Sequence, residues 1–139
     1  MTDSATFEIF LQLMRVFHIL VEDLEPGLKE LKLEPKEFFL LSAVEENPNP
    51  AQLARALLLP SPTVSFLIKR VEKNGYIKRE NDKNDLRRFR LTLTARGRTA
   101  LNKGTELLDG ALKKRFGCLD ATERGAFVVA LNKIAELPS

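Results

Sequence analysis

The chain has 139 residues, the length of one ordinary domain, and its 44% hydrophobic and 29% charged residues are typical of a globular protein with a buried core. The single cysteine excludes an internal disulfide framework, the N-terminus does not resemble a signal peptide, and no apolar window approaches the roughly 18 unbroken residues of a membrane helix, so we expect a cytoplasmic protein without a membrane partner. A net charge of +3 by itself indicates no particular class of partner.

Two helices are predicted in the first 46 residues. The first is amphipathic, with apolar residues at three- and four-residue steps: Phe7, Phe10, Leu11, Met14, Phe17, Val21 and Leu24. Pro26 and Gly27 should kink or interrupt it, with a further turn possible through Leu28 and Leu31. A second helix is expected to begin at Pro35, because proline is well tolerated in a first helical turn.

Two shorter helices follow, and both have clear start signals. Asn49 is the expected N-cap of the third helix, with Pro50 as its first residue. In the fourth helix, Ser61 is expected to cap the first free amides and Pro62 to occupy the first helical position. Gly75 is expected to stop this helix in a left-handed conformation.

The periodicity then changes from that of a helix to that of a strand. Phe89, Leu91 and Leu93 alternate with polar residues, which is typical of a half-buried strand. The segment 76–80, "YIKRE", can pair with it, and the polar segment 81–88, "NDKNDLRR", is predicted to form the hairpin loop between them.

Two further helices complete the chain. Thr94 should cap a helix that runs to about Gly117, and Asp120 with Glu123 forms an acid-led capping box at the start of the last helix. The last helix has one apolar side, formed by Phe127, Val128, Leu131 and Ile134.

Charge is concentrated around the fourth helix and the hairpin. Residues 60–98 contain 11 Lys and Arg against four acids, a net charge of +7, whereas the other 100 residues have a net charge of −4. This asymmetry is expected when one surface meets a polyanion. A solvated surface on which charges happen to cluster is the alternative.

The order of elements predicts a mainly α protein with a small β-hairpin wing, that is, a winged helix-turn-helix. The fourth helix has an apolar face that would hold it on the preceding helices, so its outward face could enter a DNA major groove. Small hydroxyls and cations on that face suit base edges and phosphates, and wing arginines suit the minor groove. The candidate DNA contacts are Ser61, Pro62, Thr63, Ser65, Phe66, Lys69, Arg70 and Lys73 in the helix, and Arg79, Lys83, Asp85, Arg87, Arg88 and Arg90 in the wing.

Several of these residues have structural alternatives. Arg70 could be tied to an acid within the fold, and Arg79 and Arg90 could brace the strands as easily as contact phosphate. Lys73 lies toward the helix end that leaves the groove.

Three groups of residues carry a resemblance to a known family. They are Leu53-Ala54 with Ser61, Thr63, Val64 and Ser65; Glu72, Gly75 and Arg79; and Asp85-x-Arg87 with Leu93-Thr94-x-x-Gly97. In this order and at these spacings they resemble the DNA-binding core of MarR-type transcriptional regulators. The core covers about a third of the chain, and the helices on either side match the family in order and length.

The resemblance implies a single domain over residues 1–139, with a DNA-binding lobe at about 36–98 and dimerisation helices at about 4–32 and 99–137. It implies a homodimer that binds a palindromic DNA operator, acts as a repressor and is released by a small-molecule effector. A small apolar or aromatic effector would bind between the dimer helices and the DNA-binding lobe; the residues that hold it are unknown. In the wing, Asp85 would pair with Arg87 to brace the loop, with Arg87 or Arg88 at the groove.

Two residues depart from the family pattern. Phe66 stands on the outward face of the fourth helix, where the family usually has a polar or basic residue. It could press against a thymine methyl group or pack under the wing. Leu58 lies in the turn before the fourth helix, where a smaller residue is commoner.

The sequence offers little support for other chemistry. With one histidine, His18, and one cysteine, Cys118, we expect no transition-metal site, and the motifs of cofactor binding and of catalysis are lacking. We therefore expect a protein that is not an enzyme. His18 is more often a packed or interface residue than a ligand contact in such a position, and redox sensing through Cys118 is not favoured.

The rival hypothesis is a winged-helix module that uses the same basic surface to bind an acidic protein instead of DNA. It fits the charge pattern equally well. The Ser61-Pro62-Thr63 helix start and the Asp85-x-Arg87 wing favour DNA, because they resemble groove-reading elements.

Overall fold

The computed structural model describes residues 4–138, except for the side chains of Asp82, Leu86 and Arg87. Six helices and one antiparallel hairpin follow one another along the described chain. They are α1 (Ser4–Glu30), α2 (Pro35–Ala43), α3 (Pro50–Leu57), α4 (Ser61–Lys73), β1 (Ile77–Asp82), β2 (Asp85–Leu93), α5 (Ala95–Phe116) and α6 (Ala121–Ala135). The predicted class, mainly α with a hairpin wing, is confirmed.

The helix-turn-helix lobe is built around the apolar stripe of α4. Val64, Leu67, Ile68 and Val71 are each at most 3% exposed and belong to one core with Leu53 of α3 and the apolar residues of α2. The chain turns sharply between α3 and α4 at Leu58, which has a left-handed backbone (φ 54°) and a side chain 89% exposed. This packing leaves the opposite face of α4 outward.

The long helices α1 and α5 pack against each other and carry the lobe. Leu24 and Leu28 of α1 are buried in the common core. Arg115 of α5 donates two hydrogen bonds to the Asp23 carboxylate, from Nε at 2.7 Å and from a terminal nitrogen at 3.0 Å. This bidentate contact lowers the pKa of Asp23 and joins the C-terminal half of α5 to α1.

Of the kink or interruption predicted at Pro26, the interruption is wrong. Helix α1 runs through Pro26 to Glu30, and the chain then leaves it through Lys32, which has a left-handed backbone (φ 56°). A proline removes only one hydrogen bond from the helix ladder, and Pro26 lies one turn from the helix end. Burial of Leu24 and Leu28 on either side of it keeps the last turn helical.

The ends of α4 were predicted with mixed success. The left-handed stop at Gly75 is confirmed (φ 80°), and Tyr76 N donates to Val71 O while Gly75 N donates to Glu72 O, the two bonds of a Schellman cap. The predicted Ser61 cap is wrong, because Ser61 is already helical and Pro60 occupies the N-cap position without any side-chain cap. Pro60 presets the extended backbone that precedes a helix, which moves the start back by one residue. The predicted caps of α3, α5 and α6 are confirmed.

The hairpin is tighter than predicted. The strands extend inward until only Lys83 and Asn84 separate them, so the predicted eight-residue loop is wrong. The register shifts between Asn81 and Asp82. The loop was predicted to reach the residue before Phe89, because the alternation of apolar residues begins there. An exposed two-stranded ribbon needs no buried face, so polar residues extend both strands toward the turn. At its base, Leu91 N donates to Pro48 O at 2.7 Å and fixes β2 to the segment before α3.

Helices α1 and α6 expose large apolar side chains. No residue of α6 is buried, and the N-terminal half of α1 is exposed throughout. The side chains concerned are Phe7, Ile9, Phe10, Leu11, Leu13, Met14, Val16 and Phe17 in α1, and Phe127, Val128, Val129, Leu131 and Ile134 in α6. These exposed apolar side chains lie on the helices for which dimerisation is predicted.

Helix α1 is also long and apolar enough to cross a membrane by length and composition alone, with a mean hydropathy of 1.4 over 18 residues. The prediction concerned an unbroken apolar run, and Glu8 and Arg15 interrupt this one without lowering its mean hydropathy far. Core helices of soluble proteins reach the same length and hydropathy.

Replacing Gly97 by alanine should destabilise the fold by about 2–3 kcal/mol. A Cβ atom at Gly97 would lie 1.9 Å from the carbonyl oxygen of Tyr76, so α5 would be pushed off the end of the wing. The matched control is Gly110→Ala in the same helix, where a Cβ atom meets nothing within 4 Å and helix propensity should add about 0.5–1 kcal/mol. Urea unfolding measures both. Equal effects of the two substitutions would contradict the close approach at Gly97.

Candidate nucleic-acid interface

The outward face of α4 projects away from the core. At 3.6 residues per turn, Phe66, Lys69 and Lys73 lie within roughly 30° of the direction opposite to the buried stripe. All three are exposed, as are Ser61, Pro62 and Ser65, whereas Thr63 is half-buried at the edge of the face. Among the described residues, no carboxylate lies within ion-pair distance of Lys69 or Lys73. The face therefore presents available cations.

The N-terminus of α4 opens onto the same face. The first intrahelical bond is donated by Val64 N to Pro60 O at 3.1 Å, and no side chain caps the preceding amides. Pro62 has no N–H, so Ser61 and Thr63 carry the uncapped N–H groups of the first turn. Helix N-termini with free amides favour anionic oxygen atoms because of the helix dipole.

Arg70 is held by acids of the fold, the structural alternative foreseen for it. One of its terminal nitrogens lies 3.6 Å from Glu34 Oε1 and 3.6 Å from Glu37 Oε1. Its guanidinium carbon lies 5.7 Å from the centre of the Phe66 ring. Arg70 keeps 45% of its side chain exposed, so it still contributes positive charge to the face.

Glu37 is a buried acid directly behind this arginine. Its side chain is fully buried, Oε1 accepts a hydrogen bond from Glu34 N at 3.1 Å, and Oε2 has no hydrogen-bond partner. Burial raises the pKa of Glu37, against the opposing effects of the Glu34 amide and of Arg70. The charge of Glu37 is thus balanced by Arg70, at the outward face of α4.

In the wing, some arginines brace the strands and others face a groove. Arg79 donates from Nε to Glu72 at 2.9 Å and stacks over the Phe89 ring at 4.6 Å, so it joins the hairpin to α4. Arg88 Nε lies 3.8 Å from Asp85 Oδ2. The predicted Asp85–Arg87 pair lies outside the described residues, because the Arg87 side chain is not described.

The basic groove between α3 and the wing contains a cation that sequence reasoning missed. Lys83, Arg88 and Arg90 line this groove of about 920 Å³, and Arg55 from the last turn of α3 lines its opposite side. The sequence did indicate an exposed Arg55. It follows the buried Leu53 by two residues, and in a short amphipathic helix this spacing places it away from the buried face.

A cavity of about 870 Å³ separates α1 from the helix-turn-helix lobe. Aromatic and aliphatic side chains form most of its wall, and charged side chains form part of the rest. It is lined by Phe17, His18, Val21, Glu25, Lys29, Leu33, Glu34, Pro35, Lys36, Phe39, Leu57 and Leu59. Glu34 therefore lines this cavity and also forms the ion pair with Arg70 on α4.

A second concave surface, of about 1100 Å³, runs between the exposed half of α1 and the α5–α6 junction. Cys118 lies there, exposed, and its thiol donates to Arg115 O at 3.3 Å. Within residues 4–138, no group of three or more His, Cys, Asp and Glu side chains is arranged to hold a metal ion.

Comparison with known proteins agrees with this geometry. A sequence model of the MarR family matches residues 31–88. The regulator YkoM of Bacillus subtilis is 31% identical over 107 residues, which cover 76% of this chain and 70% of YkoM. The regulator SarZ of Staphylococcus haemolyticus is 38% identical over 72 residues, covering 50% of this chain and 49% of SarZ, so the match spans about half of that relative.

A solved structure extends the likeness to most of the chain. The MarR-family protein Rv2887 of Mycobacterium tuberculosis, in complex with salicylic acid, superposes with a TM-score of 0.73 at 26% identity, covering 88% of this chain and 93% of that one. The fold, with an exposed α4 face beside a hairpin wing, defines a winged helix-turn-helix protein. The chain belongs to the MarR family of transcriptional regulators, and its relatives are regulators rather than enzymes.

Replacing Glu37 by glutamine should change the dependence of stability on pH. The pKa of Glu37 is raised in the folded state, so the folded protein holds this proton more tightly than the unfolded chain. The contribution of this proton to the free energy of unfolding is fully present below the ordinary pKa of 4.5 and is lost as pH rises through the raised pKa. The stability of Glu37→Gln relative to the wild type should therefore increase from pH 4 to neutral pH. Urea unfolding of both proteins measures the difference, which isolates Glu37; a difference that is constant with pH would contradict the assignment.

Proposed function

We propose that the protein is a homodimeric, sequence-specific regulator that binds double-stranded DNA, represses transcription and is released by a small-molecule effector. It would act in the cytoplasm, where its operator is accessible. One observation carries the proposal: the apolar stripe of α4 is sealed in the core, so its face of hydroxyls and cations points outward beside a basic wing.

The DNA-binding part of the proposal follows from shape and charge. An α-helix fits the major groove, and the uncapped amides at Ser61 and Thr63 suit a phosphate at the groove edge. Lys69 and Lys73 lie where they can reach base edges or phosphates along the groove. The wing, with Arg88 exposed at its outer part, would lie against the neighbouring minor groove.

The dimeric part follows from the uncovered apolar faces of α1 and α6. Exposed apolar faces of this extent mark an interface, and a second copy of the chain offers matching faces by two-fold symmetry. The concave surface of about 1100 Å³ between α1 and the α5–α6 junction suits a helix of the second copy. Two recognition helices would then meet half-sites of a palindrome about 34–36 Å apart.

The effector part rests on the cavity of about 870 Å³ and on the salicylic acid bound by Rv2887. Its apolar wall suits an aromatic ring, and Lys29 and Lys36 in its lining suit a carboxylate. Glu34 links this cavity to Arg70, so an anionic occupant that changes the position of Glu34 would also alter the support of the recognition face. Release of DNA would follow from that change.

Replacing both Arg87 and Arg88 by alanine should weaken binding to all DNA sequences and flatten its salt dependence. If each arginine neutralises one phosphate, the slope of log K against log salt falls by about 3.6 for the four arginines of a dimer. Fluorescence anisotropy of a labelled operator, selected from random duplexes, measures the slope.

The matched control is Lys103→Ala with Lys113→Ala, which removes the same charge from exposed positions on α5. This control should leave the slope unchanged. A slope equally affected by both double variants would contradict a specific role of the wing. Failure of the wild type to enrich any palindrome would contradict the DNA-binding proposal and favour an acidic protein partner.

Salicylate should release the protein from its operator, and the neutral analogue salicyl alcohol should do so less effectively, because it lacks the carboxylate that Lys29 and Lys36 would meet. Val21→Phe should project a ring into the cavity and weaken release while leaving DNA affinity nearly unchanged, since Val21 lies on α1, away from the outward face of α4. Competition in the same anisotropy assay measures release. Undiminished release from the Val21→Phe variant would place the effector elsewhere.

A further inference from the structure

Phe66 is the large apolar residue on an otherwise polar and cationic recognition face. It lies almost opposite to the buried stripe of α4, in the second turn, and the residue is 57% exposed. The wing therefore does not cover it, and the aromatic residue of the wing, Phe89, is engaged by Arg79 instead. Lys69 and Lys73 stand on the same outward side. Phe66 is thus placed where the helix would approach base edges most closely.

The ring of Phe66 lies beside a cation that is itself paired with acids of the fold. The Arg70 guanidinium lies 5.7 Å from the ring centre, one turn further along the helix. Arg70 is in turn held by Glu34 and by the buried Glu37, each at 3.6 Å. These two ion pairs restrict the guanidinium, so the ring beside it loses little further freedom when DNA binds. Such preorganisation favours a contact of defined geometry.

The chemistry of the major groove leaves one good partner for such a ring. Each base pair presents donors and acceptors there, and the C5 methyl group of thymine is the apolar feature. A phenyl ring cannot satisfy the hydrogen-bonding groups of guanine or cytosine, and covering them would cost their hydration. Contact with a methyl group incurs no such cost and removes apolar surface from water.

We propose that Phe66 is a specificity-determining residue that selects a thymine in each half-site through its methyl group. The inference rests on the proposed DNA binding and names one feature of the sequence that is read. It assigns Arg70, Glu34 and Glu37 the role of positioning the ring.

Methyl removal from the DNA tests this directly. In an operator obtained by selection from random duplexes, each thymine is replaced in turn by deoxyuridine, which lacks only the C5 methyl group. One thymine per half-site should be sensitive, with wild-type affinity falling about fourfold per half-site and about 15-fold when both are changed. For the Phe66→Ala protein, deoxyuridine at that position should cause less than a twofold change.

Leu58→Ala is the matched control, because Leu58 is also a strongly exposed apolar residue of this lobe but lies in the turn, outside the α4 face. It should keep the full sensitivity to deoxyuridine. Phe66→Ala leaves no internal cavity, and its circular dichroism should match the wild type.

The two proposals fail in different ways. If no duplex is enriched, DNA binding itself is contradicted. If the wild type binds an operator but no thymine responds to deoxyuridine, or if Phe66→Ala responds as strongly as the wild type, Phe66 does not read a methyl group, and sequence-specific binding stands without it.

Discussion

The burial of four side chains of α4, Val64, Leu67, Ile68 and Val71, is the constraint on which the rest of the structure depends. Burying an aliphatic side chain of this size contributes about 1.5–3 kcal/mol, so the orientation of α4 about its own axis is fixed by several times thermal energy. Rotation by half a turn would expose this stripe and bury Lys69. Burial of the apolar stripe therefore determines which side chains α4 presents on its outward face. The hairpin depends on the same helix, because Arg79 ties β1 to Glu72.

Much of this arrangement could be predicted because it depends on local rules. Helix periods, proline positions and capping residues identified all six helices, and the Schellman stop at Gly75 needed only the glycine. The outward face of α4 followed from its buried face. Chain interruption at Pro26, the Ser61 cap and the length of the hairpin loop were predicted wrongly, because each is settled by a competing effect. Tertiary burial kept α1 continuous, Pro60 preset the helix start, and an exposed ribbon could extend without apolar alternation.

The ion pairs of the interface could not be derived from sequence alone. Arg70 meets Glu34 and Glu37 only because α2 crosses behind α4, and nothing in the pattern of charges distinguishes these acids from solvated ones. Burial of Glu37 was equally hidden, since a glutamate in the first turn of a helix is ordinarily exposed. The contribution of Arg55 required the hairpin to be placed beside α3. Contacts of this kind join residues from different elements. They depend on how the elements are arranged in space, which the identity of a single residue does not reveal.

The uncovered faces of α1 and α6 have a consequence for the cell. In the proposed pairing, α6 would be packed only in the dimer, so the monomer would be much less stable than the dimer. Newly made chains would therefore form dimers with one another, whichever copy of the gene encoded them. A subunit with a disabled α4 face but intact α1 and α6 would then be incorporated into mixed dimers with normal subunits. Each mixed dimer would hold only one half-site. Alleles of this kind would be dominant over the normal gene, whereas alleles that disrupt α6 would be recessive.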